Sequence, residues 1–133
     1  MRKHLFAVTL FAVACATAAR SSGAPSLNGV YLATLAVDGR STYTGSMTLA
    51  PAGRDSVTGN MRLTSPISVD MVLGASLHGD SITMRGTYSA ANGCTGSFSA
   101  PLRIDAGGAG AQGRFQLIDR CAGTLTGAFR ATR

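Results

Sequence analysis

The chain of 133 residues contains no tryptophan and no glutamate, and its single lysine is Lys3. Charged residues make up 14% of it, so Ser, Thr, Gly and Arg must carry the solvent-facing surface. The acidic groups are all aspartates, spaced singly at Asp38, Asp55, Asp70, Asp80, Asp105 and Asp119. His78 is the one histidine beyond the amino terminus. With so few titratable groups, and no Gly-x-Ser-x-Gly motif, the chain offers no nucleophile and base pair, and an enzyme is not expected. Only a meeting of Asp70 and His78 in one concave site would reopen that question. Also missing is any apolar run of helical period after residue 26. The 17 glycines argue instead for short strands and tight turns.

The scarcity extends to cofactor chemistry. Gly107-Gly108-Ala109-Gly110 lacks the following helix or lysine that a phosphate-cradling loop needs. Cys94 and Cys121 have no suitably spaced histidine or third cysteine, so a metal site is not expected, and neither is a cofactor. The formal charge of +6 includes Arg2 and Lys3; from Arg20 onward ten arginines face six aspartates, a difference of +4. These arginines are dispersed, without interleaved aromatics, which argues against a nucleic-acid partner.

What is present at the amino terminus is an address. Met1-Arg2-Lys3-His4 is a short basic segment, and Leu5 to Ala14 is apolar. That run is too short to span a bilayer and has the layout of a secretory signal, expected over residues 1–19. Ala12-Val13-Ala14-Cys15 resembles a bacterial lipobox with Ala in place of the preferred Leu; on that reading the signal is 1–14 and Cys15 carries lipid. Cleavage at Ala16-Thr17-Ala18 or Thr17-Ala18-Ala19 is the competing reading. Either route removes or occupies the odd cysteine of three. Residues 20–26, rich in small residues, read as a flexible tether, and residues 27–133 as one domain.

Within that domain apolar and polar residues alternate almost without interruption, the signature of strands with one dry and one wet face. The runs are Leu27 to Val37, Thr42 to Ala50, Ser56 to Thr64, Ile67 to His78, Ser81 to Ala90, Cys94 to Ile104, Ala111 to Leu117 and Ala122 to Thr132. Asp38-Gly39, Gly79-Asp80 and Asn92-Gly93 are tight-turn signals, the last expected as a type I′ turn; Ser65-Pro66 breaks the chain and Asp105 to Gly110 is the longest loop. Eight strands joined in order by short turns predict an all-β, antiparallel up-and-down barrel that closes on itself. An outer-membrane barrel would turn the apolar face to lipid. The glycine-rich dry face, the lack of aromatic girdles and the ending Phe129-Arg130-Ala131-Thr132-Arg133 point to an apolar interior instead.

Seven times the dry face carries Gly followed two residues later by a bulky side chain: Tyr31, Met47, Met61, Tyr88, Phe98, Phe115 and Phe129. Interior glycine weakens a strand, so its recurrence needs a cause. Curvature at the glycines is one, and a bulky neighbour covering the bare backbone is another. The same seven bulky residues are candidates to line a ligand cavity, the alternative being a filled core. Cys94 and Cys121 share inward parity on strands running the same way, and a disulfide between them is expected.

The opening Leu27-Asn28-Gly29-Val30-Tyr31 resembles the L-x-G-x-W start of avidin-like and lipocalin-like barrels, with Tyr for Trp. Val57-Thr58-Gly59-Asn60-Met61 resembles the L-T-G-x-Y repeat of avidin-like strands. Lacking tryptophan, the chain has no counterpart of biotin-stacking residues, and no ligand is carried over. The rhythm is also similar to small bacterial exported proteins and lipoproteins built from Gly-x-aromatic strands with two late cysteines, which implies a location and a shape. The expectation is thus a non-enzymatic exported or lipid-anchored monomer that binds a small apolar ligand or an envelope component, touching membrane only through the lipid. A protein-binding module, such as an inhibitor of an exported hydrolase, is the alternative.

Overall fold

The computed structural model describes residues 27–133. The expected signal (1–19), the tether (20–26) and the lipidation candidate Cys15 lie outside the described residues. The chain forms β1 (Gly29–Val37), β2 (Thr42–Gly53), β3 (Ser56–Ser65), β4 (Val69–His78), β5 (Ser81–Ala90), β6 (Thr95–Ile104), a 3-10 turn at Ala106–Gly108, β7 (Gly110–Asp119) and β8 (Gly123–Thr132). Each strand pairs antiparallel with the next, and β8 returns to β1 through pairs such as Ala33 with Ala131 and Leu35 with Phe129. The result is the expected closed barrel of eight strands. Closure leaves no edge strand exposed for pairing with another chain.

Period-two alternation puts the apolar set inside. In β4 buried and exposed residues alternate without exception from Val69 to His78. Among the described residues no polar or charged residue is buried. The outer face is mostly Ser, Thr and Arg, with Val30, Leu32, Val72 and Ile118 as large apolar exceptions.

Several features depart from the sequence expectation; β2, for one, runs on to Gly53 rather than ending at Ala50. β7 runs on to Asp119 rather than ending at Leu117, because its pairing with β8 continues through Ile118–Thr124 and Asp119–Gly123. Asn92-Gly93 is not a type I′ turn, since no non-glycine residue has positive φ. The Gly93 N–H donates to Ala90 O (2.9 Å) and the Ala90 N–H to Cys94 O (2.8 Å). Gly93, at φ 85°, takes the left-handed place in a longer hairpin loop.

The glycine cassette works by register. Gly86 faces Phe98 while Tyr88 faces Gly96, and Gly113 faces Phe129 while Phe115 faces Gly127. In the β5–β6 and β7–β8 pairs, then, neighbouring strands exchange glycine for aromatic. The β1–β4 side differs: Tyr31, Met47, Met61, Met71 and Tyr88 pair in one row across five strands. Glycine is required where strands approach closely. A Cβ at Gly59 would overlap the Thr48 carbonyl oxygen, and one at Gly96 would stand 2.5 Å from the Tyr88 hydroxyl oxygen.

The strand order places the ends of β2, β4 and β6 together with both termini of the domain, and there the barrel is shut. The Tyr31 hydroxyl donates to Gly108 O (3.1 Å) and accepts from Arg133 Nε and Nη2 (3.2 and 3.0 Å). Arg133 Nη2 also donates to Asn28 O (2.9 Å), its guanidinium carbon lies 5.2 Å from the Tyr31 ring centroid, and its N–H donates to Ala109 O (2.9 Å). First strand, 3-10 turn and last residue are thereby tied around one buried tyrosine. Phe98, Phe115 and Phe129 fill the middle, with ring centroids 6.0 Å (Phe98–Phe115) and 5.9 Å (Phe98–Phe129) apart.

Candidate functional site

At the other end the side chains shorten and the barrel opens. A cavity of about 400 Å3 is walled by Leu35, Val37, Leu63, Ile67, Val69, Met71, Tyr88, Ala90, Leu117 and Leu125, with Arg40, Tyr43, Asn92, Cys94, Asp119, Cys121 and Ala122 around it. Its floor follows from the register: Leu35 pairs with Phe129 and Leu117 with Phe98. The volume falls within the range of small-molecule sites, and the mix of apolar wall with a few polar groups is the usual one.

Hydrogen-bonded polar groups stand around the mouth. Asp119 Oδ1 accepts the N–H groups of Cys121 (2.8 Å) and Ala122 (2.9 Å), and its Oδ2 accepts a short hydrogen bond from the Tyr88 hydroxyl. Tyr88 reaches Asp119 from β5 to β7 by crossing β6 over Gly96, which lies between them in the row. Burial first, and then the Asp119 hydrogen bond and charge, push the Tyr88 phenol well above its ordinary value. Burial also pushes the Asp119 carboxyl up, but the hydrogen bonds from Tyr88, Ala122 and Cys121, with the Arg40 charge, outweigh it and hold the group below the usual carboxylate range.

On the same rim Asn92 Oδ1 accepts the Cys94 N–H at 3.0 Å. Asn92-x-Cys94 and Asp119-x-Cys121 are thus matching side-chain-capped turns, each presenting a cysteine, and the two sulfurs are joined. The expected disulfide is present, with Cα atoms 5.8 Å apart, within the ordinary range. Cys94, Cys121 and Asp119 also bring three potential metal-ligand atoms within 4.8 Å of one another. The sulfurs are spent on each other and the carboxylate on three donors, so the trio acts as a rim brace. Such a disulfide is typical of proteins that fold in oxidising compartments.

Of the seven residues singled out for a cavity, Tyr88 lines it. Tyr31, Met47, Met61, Phe98, Phe115 and Phe129 do not; each is only 1–2% exposed and fills the middle and the shut end. The reason is bulk, since large side chains in a narrow barrel occupy the space a guest would need. The cavity opens where medium-sized aliphatic residues stand instead. Arg40, Tyr43, Asn92 and Asp119 were not singled out by sequence. Two signals pointed that way: the matching Asx-x-Cys turns, and the rule that the C-termini of odd strands and the N-termini of even strands meet at one end of a meander.

Asp70 and His78 do not meet. They occupy opposite ends of β4, about 27 Å apart at 3.4 Å per residue. Asp70 is bound to Arg62 on the outer wall at 2.8 Å, and His78 borders a separate outer groove with Ser76, Thr83 and Arg85.

No family model matches the chain, and no curated protein matches it. Solved structures do. A redesigned β-barrel, mFAP1, bound to DFHBI, is similar over 80% of this chain and 94% of its own, at 12% identity and a TM-score of 0.60. EF1p2_mFAP2b bound to DFHBI covers 80% and 93%, at 12% identity and a TM-score of 0.64. A further redesigned barrel, b11L5F_LGL, covers 80% and 90%, at 16% identity and a TM-score of 0.59. At these identities the likeness is one of fold: the chain is a closed, eight-stranded, up-and-down β-barrel, open at one end.

Proposed function

We propose that the chain is an exported, non-enzymatic β-barrel that takes a small, largely apolar ligand into its open end, acting as a monomer in the bacterial cell envelope or outside the cell. The observation that carries this reading is the cavity of about 400 Å3 behind a mouth of polar groups. An eight-stranded barrel either fills with side chains or holds one small guest, and this one fills at one end only. Similar barrels bound to DFHBI support the idea that the architecture accommodates a small molecule. Export is supported by the basic and apolar start of the chain and by the disulfide. The absence of a paired nucleophile and base in the sequence favours binding over catalysis.

Native mass spectrometry of the chain purified from its own host tests the reading, with a retained mass of ligand size, released on unfolding, as the expected result. A series of neutral 1-alkanols tests the cavity itself. Burying each methylene contributes about 0.8 kcal/mol, so affinity should rise roughly fourfold per carbon until the cavity is full. No retained mass together with no saturable alkanol binding removes the reading.

A further inference from the structure

The chemistry of the mouth narrows the class of ligand, an inference that rests on the cavity being a binding site. The hydrogen-bonding inventory of the polar lining is lopsided. Its one carboxylate, Asp119, already accepts three hydrogen bonds, from Tyr88, Cys121 and Ala122. The carbonyl oxygen of the Asn92 side chain is taken by the Cys94 N–H. The Tyr88 proton is committed to Asp119. What remains to face a guest is almost entirely donors. Arg40 offers a guanidinium, Tyr43 a hydroxyl and Asn92 its side-chain NH2, and among the described residues none of these donors makes a hydrogen bond within the protein.

The position of these donors matters as much as their number. Arg40 stands in the β1–β2 turn, Tyr43 at the start of β2 and Asn92 in the β5–β6 turn, so the donors come from two sides of one opening. Beneath them the wall is Leu35, Leu63, Val69, Met71 and Leu117, with no polar group left over to pair with a second polar end. A ligand that satisfies both levels has an apolar body for the wall and one acceptor-rich group for the mouth. Its two oxygens and negative charge make a carboxylate the best match for a guanidinium. An ammonium would meet the Arg40 charge and find as side-chain acceptors only the Tyr43 hydroxyl oxygen and Asp119, which three donors already engage, so it gains less there.

We propose that the cavity selects compact amphiphilic monocarboxylates, inserting the apolar body first and holding the carboxylate at the mouth through Arg40, with Tyr43 and Asn92 as accessory donors.

The test compares three probes of one chain length, octanoate, 1-octanol and octylammonium, titrated calorimetrically into the disulfide-intact protein at neutral pH and low salt. The expected order is octanoate tightest, by roughly tenfold over 1-octanol, the scale of one charge-assisted hydrogen bond partly open to water, and octylammonium weakest. Arg40→Gln should remove most of the octanoate advantage while leaving 1-octanol affinity within about twofold, since the side chain is exposed and supports no other hydrogen bond; Tyr43→Phe should remove a smaller part. Equal affinity for the three probes, tighter binding of octylammonium, or an octanoate advantage untouched by Arg40→Gln overturns this inference and leaves the apolar cavity standing. No binding of any probe overturns the cavity reading and the inference together.

Discussion

The two ends of the barrel are made from the same alternating strands and differ in what crosses the interior. At the shut end Tyr31 stands under the 3-10 turn, bonded to Gly108 O and to Arg133, and the Phe98, Phe115 and Phe129 rings occupy the space above it. At the open end no ring crosses. Tyr88 instead leans along the wall to Asp119, and a disulfide braces the two turns. Tight packing is therefore concentrated at one end and accessible volume at the other, the usual division between a scaffold and a site. The difference also shows what the glycines do. At Gly127 the missing Cβ leaves room for the Phe115 ring, and at Gly96 it lets the Tyr88 phenol pass over the neighbouring strand to the cavity wall.

The largest expected contrast is in truncation. Phe98→Ala should cost about 3–5 kcal/mol, because its packed neighbours cannot close the void. Leu63→Ala, at the wall of an existing cavity, should cost about 2 kcal/mol, near the bottom of the range for such changes. Urea unfolding of both variants checks this, and equal losses would erase the distinction between the ends. Next comes the rim brace. Replacing both cysteines, Cys94→Ser with Cys121→Ser, removes a loop of sequence separation 27, for which chain entropy predicts about 3.5 kcal/mol. Hydrogen exchange should report the accompanying loss of protection in the β5–β6 and β7–β8 turns, with the Tyr31 end unchanged.

Overfilling sharpens the comparison from the other direction. Ala100 is 0% exposed, so Ala100→Leu should cost about 1–3 kcal/mol. Ala90 borders the cavity, and Ala90→Leu should be close to neutral for folding while weakening alkanol binding. Tyr88→Phe should cost about 1 kcal/mol at neutral pH for one lost hydrogen bond, and its pH dependence carries the information. The folded phenol is raised above the unfolded value of about 10, so its contribution is complete below that pH and is lost as pH rises through the folded value. Asp119 is lowered, so its contribution is present above about 3.9 and is lost as pH falls through the lower folded value. Tyr88→Phe should abolish the alkaline loss and shrink the acid one, both followed by thermal unfolding across pH.

The barrel was legible because parity is a strong constraint. A one-residue slip in a strand such as β4 would put Val69, Met71, Leu73, Ala75 and Leu77 in water. The disulfide was legible from parity and strand direction together. The cavity was not, because parity tells which face a residue is on and says nothing of its height along the barrel axis. Height depends on register and stagger. These put Phe129 opposite Leu35 and Phe98 opposite Leu117, with the phenylalanines below and the leucines at the cavity. The bulky residues were candidates for a cavity lining or for a filled core, and apart from Tyr88 they form the floor and foundation of the cavity. Asp119 looked like one more turn aspartate, and only the pairing of β6 with β7 through Gly96 shows why Tyr88 can reach it.

The central claim is that one end of the barrel is solid and the other receives a ligand, and methyl NMR during titration with octanoate tests it most directly. Saturable shifts should appear at Leu35, Leu63, Val69, Met71 and Leu117, while Met47, Ile82 and Met84, each about 1% exposed, stay in place. Absence of saturable shifts, or shifts that begin among Met47, Ile82 and Met84, would contradict it.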